Sequence, residues 1–109
     1  MHKLVILIEP LEDWTTFEET WPEFLHLVES LPELQREATC RVEQHLYGNS
    51  VYGIIHELYF DSLDAAQRAM ASPNGRSAGQ LLQLMTRGRM VLFFADHKED
   101  ELENIRKLQ

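Results

Sequence analysis

The sequence predicts an α+β fold, a four-stranded antiparallel sheet with helices on one face, run in the split β-α-β, β-α-β order. Three observations predict it. Apolar, β-branched runs near the start, middle and end of the chain read as strands. Between them apolar residues recur at spacings of three and four, the mark of a helix buried along one stripe. And Phe60 to Gly75 holds a strand end, a capped helix and a second helix start in one stretch. The expected sheet order is 4-1-3-2.

Lys3 to Glu9 forms the first strand and stops at Pro10, which cannot continue a central strand. Asp13, Thr15 or Thr16 caps the helix that follows. Phe17, Trp21, Phe24, Leu25, Val28 and Leu31 share its apolar face, and Leu31-Pro32 closes it. Pro22 falls inside this pattern and marks either the first turn or a bend.

From Glu37 to Tyr47, apolar Ala38, Cys40, Val42 and Leu46 alternate with polar Glu37, Arg41, Glu43 and His45, as in a half-buried or edge strand. Gly48-Asn49-Ser50 supplies a turn, and Val51 to Phe60 returns antiparallel. Asp61-Ser62-Leu63-Asp64 starts a helix that runs to Ala71; Ser72-Pro73 starts another, with Leu81, Leu82, Leu84 and Met85 as buried candidates. Gly88 ends it, and Met90 to Ala95 is the last strand. Residues 1–97 read as one domain and 98–109 as an acidic helical tail, with Leu102, Ile105 and Leu108 as a thin stripe and Glu103–Lys107 as a surface pair.

Composition narrows the function. A net charge of −8 over 109 residues argues against nucleic acid and anionic membrane surfaces, which call for basic patches. Cys40 is the single cysteine, so no internal disulfide or cysteine-based zinc site is expected, and a reduced, cytoplasmic setting follows. It reads as an inert small core residue. No apolar run approaches the length of a membrane helix. His97 with Asp96, Glu99 and Asp100 imitates a metal site, but a solvated tail fixes no ligand geometry. No metal or cofactor is expected.

The strands are apolar on both faces. Val51, Ile55 and Tyr59 point one way in the third strand, against Tyr52, Ile54, Leu58 and Phe60. The first opposes Val5 and Leu7 to Leu4, Ile6 and Ile8, and the last Val91 and Phe93 to Leu92 and Phe94. Helices cover one face in this order, so the other needs a partner, and a second copy set sheet to sheet is the economical one.

Candidate chemistry is sparse. His26 falls off the apolar face and reads as a surface residue. His56, on the face of Ile54 and Leu58, is either a buried structural histidine or a proton carrier in a pocket. Glu57 and Tyr59 share the face of Ile55; either they are a catalytic carboxylate and phenol in an apolar cavity, or Glu57 sits at the barrel mouth, hydrogen-bonded across strands by Arg41 or a tyrosine. Trp14 and Trp21 read as helix–sheet packing.

Glu9-Pro10, Phe17, Leu31-Pro32-Glu33-Leu34, the run Glu57-Leu-Tyr-Phe-Asp-Ser-Leu-Asp, Ala69 and Ser72-Pro73-Asn74-Gly75 keep an order and spacing that resembles the EthD-like family, over residues 3–95. The resemblance implies a ferredoxin-like plait that dimerises into an α+β barrel. It also implies a function: binding a small apolar or aromatic compound, with cofactor-free isomerase, dehydratase or oxygenase-type chemistry in a degradation or biosynthetic pathway. Where the family pattern carries a Tyr, a His and an Asp, this chain has Ile8, Phe24 and Leu81. These line the expected pocket with Ile55 and His56. Their apolar character raises the alternative of a non-catalytic accessory or assembly dimer whose ancestral site has been filled. A haem-binding barrel is a third reading, with only His56 as an axial ligand.

Overall fold

The computed structural model describes residues 1–49 and 51–101. β1 (His2–Ile8) leads into α1 (Thr15–Glu29). β2 (Arg36–Arg41) and β3 (Ile54–Phe60) follow, then α2 (Leu63–Ala71), α3 (Pro73–Thr86) and β4 (Met90–Asp96). The strands form one antiparallel sheet in the order β2-β3-β1-β4. This is the expected plait, with β1 and β3 central and β2 and β4 at the edges.

Register decides which side chains meet. Ile6 stands opposite His56 and Leu92, and Val5 opposite Glu57 and Phe93. Leu4, Ile6 and Ile8 therefore share a face with Ile54, His56, Leu58 and Phe60. Phe17, Phe24 and Val28 of α1, Ala65, Ala66 and Ala69 of α2, and Ala78, Leu82 and Met85 of α3 close over that face as one core. The alanines of α2 let its backbone lie close to the sheet.

The helix ends follow local chemistry. Asp13 Oδ1 accepts the Thr15 N–H at 2.9 Å and opens α1, whose N-cap position is Trp14. Pro22 lies inside α1 without marking its start; its missing N–H leaves the Glu18 carbonyl without that helical donor. Ser62 accepts the Ala65 N–H at 3.1 Å. Ser72 ends α2 and begins α3: its hydroxyl donates to the Ala69 carbonyl at 2.5 Å and accepts the Gly75 N–H at 3.2 Å. A Cβ on Gly75 would collide with the Ala69 and Met70 carbonyls, so only glycine fits this corner. Arg87 and Gly88 turn left-handed to end α3.

Three expectations need correction. The second strand stops at Arg41, and the third begins at Ile54. The apolar alternation continues past Arg41, but those side chains find no layer to pack on: Leu46 is 91% and Tyr47 100% exposed. Leu84 is exposed as well, because it falls outside the stripe of Leu82 and Met85. Cys40 is exposed rather than buried, since it lies on an edge strand. Residues 98–101 carry no regular structure, and the expected stripe and ion pair of the tail lie outside the described residues.

Candidate functional site

Among the described residues, the titratable group with no exposure at all is His56. β3 carries it, and the inward face of β2 supplies its partners. Thr39 stands directly across from it in the register. The Thr39 Oγ1 lies 2.7 Å from His56 Nδ1, and Glu37 Oε2 lies 3.2 Å from Nε2. Trp21 and Phe24 of α1 set their rings at steep angles to the imidazole, with centroids 5.2 and 5.9 Å away. Trp14, Phe17, Trp21 and Phe24 form a continuous aromatic row at centroid spacings of 5.0, 5.0 and 5.1 Å.

Burial dominates the electrostatics. Loss of water lowers the His56 pKa from 6.5 to about 4, against the weaker opposing pull of the Glu57 charge. The ring is therefore neutral near pH 7. Burial, reinforced by Glu29, raises the Glu37 carboxyl above its usual range. An ionised Glu37 only accepts, so the neutral ring donates its Nε2–H there and accepts the Thr39 hydroxyl proton at Nδ1. The result is a carboxylate–imidazole–hydroxyl array that ends in an exposed residue, Thr39, on the edge strand and whose centre is dry. Such an array can hand a proton from an exposed oxygen to a buried base.

The other face holds a second polar group. Lys3 of β1 pairs with Glu57 of β3, and both side chains are mostly buried. Tyr59, next to this pair, has the Arg36 guanidinium 4.1 Å above its ring centroid and the His97 ring edge-on at 4.9 Å. Glu57 thus has a lysine partner across the strand pair, and Tyr59 is packed between cationic and aromatic neighbours.

The residues expected at one site are divided between two. Ile8, Phe24 and His56 lie beneath the helices, with Leu81 packed against the same core. Ile55, Glu57 and Tyr59 project from the face that carries no helix. His26 is exposed, and Trp14 and Trp21 pack against the core. No group of three or more His, Cys, Asp or Glu placed to hold a metal occurs among the described residues; His97 bonds Glu99 instead. No helix among them is long and apolar enough to cross a membrane. Sequence reasoning missed Thr39 and Glu37. The signal that finds them is the β2–β3 register, which a tight turn at Asn49 misplaces: it would set Val42 rather than Thr39 against His56.

No family model matches the chain, and no curated protein does. Solved structures do. An ethyl tert-butyl ether D (EthD) family protein from Bacillus halodurans superposes with a TM-score of 0.81 at 24% identity, covering 90% of this chain and 99% of its own. This is an EthD-like fold. A dimeric ferredoxin-like protein of unknown function from Jannaschia sp. shares the EthD-like fold at a TM-score of 0.68 and 15% identity, covering 88% of this chain and 98% of its own. So does SnoaB, a cofactor-independent oxygenase from Streptomyces nogalater, at a TM-score of 0.64 and 15% identity, covering 93% and 95%.

Proposed function

We propose that this protein is an EthD-like homodimer that binds a small apolar or aromatic compound and moves a proton on it at His56, without a bound cofactor. The observation that carries the reading is the neutral, fully buried imidazole bonded at both nitrogens, with the exposed edge-strand residue Thr39 as its outlet. The Thr39 hydroxyl takes the proton from the compound's C–H as it gives its own to Nδ1, leaving a carbanion on the compound and an imidazolium whose Nε2–H holds to Glu37. The rings of Trp21 and Phe24 keep the base dry, and the reverse transfer returns the proton. Dimerisation is supported by the helix-free face, where Val91 and Phe93 are each 43% exposed. The solved relatives include dimeric proteins and a cofactor-independent oxygenase.

The test is wash-in of solvent deuterium at the acidic C–H of phenolic and ketonic aromatic compounds, followed by proton NMR. His56→Asn should slow wash-in roughly a hundredfold while the compound still binds. An unchanged rate sinks the proposal. A second reading, an accessory dimer without turnover, is favoured by Ile8, Phe24 and Leu81, which place apolar side chains in or against the core. It prevails if no compound in such a panel raises the melting temperature.

A further inference from the structure

At one end of the helix-free face, a guanidinium and an imidazole converge on a single oxygen. Arg36 Nη2, at the start of β2, lies 3.3 Å from Glu99 Oε1; His97 Nε2, just beyond β4, lies 2.6 Å from the same atom. The two donors are held by the fold. Both rest on Tyr59, which is only 4% exposed: the guanidinium stacks on its ring and the imidazole meets it edge-on. The His97 main chain is tied to β1 by its N–H bond to the Met1 carbonyl at 2.8 Å. The acceptor is different. Glu99 sits on a segment with no regular structure, and its side chain is 66% exposed, against 52% for Arg36 and 18% for His97. A groove of about 420 Å³ opens beside the pair, lined by Met1, Gln35, Arg36, His97 and Glu99.

We propose that Arg36 and His97 form a binding site for a small aromatic carboxylate, and that the chain's own Glu99 occupies it in the unliganded protein. A planar guanidinium and an imidazole N–H suit a carboxylate, and the half-exposed Met1 side chain, which lines the groove, offers apolar, polarisable surface for an aromatic ring beside it. The neighbouring Lys3 is already matched by Glu57, so it does not recruit a ligand. His97 donates its Nε2–H in the neutral tautomer as well as when protonated, so the site does not depend on acid pH. Glu99 is tethered two residues from His97 and competes at an effective concentration on the order of millimolar or above. An outside carboxylate must displace it. The site is separate from His56 and goes beyond the reading given for that residue.

The experiment is calorimetric titration of the whole chain with benzoate, and with benzamide as the uncharged isostere. Glu99→Gln should tighten benzoate binding at least tenfold relative to the natural chain, with benzamide unaffected. Arg36→Met, which keeps a stem to lie on Tyr59, should reverse that gain in the Glu99→Gln background. Circular dichroism confirms that each variant is folded. Equal benzoate affinity with and without Glu99, equal binding of benzamide, or full retention in Arg36→Met would each overturn the proposal, as would no benzoate binding by Glu99→Gln.

Discussion

On the helix-covered face of the sheet, Leu4, Ile6, Ile8, Ile54, Leu58 and Phe60 are all buried by the protomer itself. Across the same strands, Val91 and Phe93 remain largely open, and only Val5 and Tyr59 are buried. The polar groups differ in the same way. On the covered face dehydration strips His56 of its charge, and a hydroxyl and a carboxylate satisfy its two nitrogens. On the open face Glu57 stands against an opposite charge, Lys3. The lesson is that a plait of this size finishes one face alone. It leaves the other with apolar side chains exposed on β4 and a charged pair, already matched within the protomer, between β1 and β3. β4 belongs fully to neither face, since Leu92 and Phe94 on the helix side are also exposed.

The sharpest way to separate the faces is to cut into each. Phe24→Ala opens a cavity beneath α1 and should lower unfolding free energy by about 3–5 kcal/mol in urea titration, with the dimer's contact surface untouched. Acid should act through the covered face as well. His56 has a folded pKa of about 4 against 6.5 unfolded, so between these values the unfolded chain binds more protons. Its contribution is complete above pH 6.5 and is lost as pH falls toward 4, by roughly 3 kcal/mol in all. Glu37, raised by burial, works in the opposite direction just above its ordinary range and blunts the lower part of that loss. His56→Gln should flatten the profile; an equally steep one would show that the histidine is charged in the fold.

The open face is broken differently. Phe93→Lys should leave the protomer's melting curve intact but weaken self-association by about 2 kcal/mol, near thirtyfold, in sedimentation equilibrium. A variant that stays dimeric at the same concentration would move the interface elsewhere. Lys3→Met removes the partner of Glu57 and should cost about 1–3 kcal/mol in thermal or urea unfolding, with the larger share in the dimer. A neutral result would mean that water reaches the carboxylate.

How much of this was legible in the chain depends on how local each cause is. The strand order and the capped corner at Ser72-Pro73 could be read because each rests on adjacent residues or on simple periodicity. The two-faced strands could be read for the same reason. The length of the second strand was overread, because Val42 and Leu46 extend an alternation that the loop does not use. The histidine array was not legible. Its bonds join positions 17 and 19 apart in sequence, and which residues meet is decided by the register across a connection from 42 to 53. Glu57 and Tyr59 were placed on their correct face, but the lysine that answers Glu57 comes from 54 residues away.

The single hydroxyl of Ser72 closes one helix and opens the next, with no loop between them. Neither end can fray without releasing the other, so α2 and α3 share one local opening event. Main-chain amides in the last turn of α2 and the first turn of α3 should therefore exchange with solvent deuterium at a common rate, as one cooperative block.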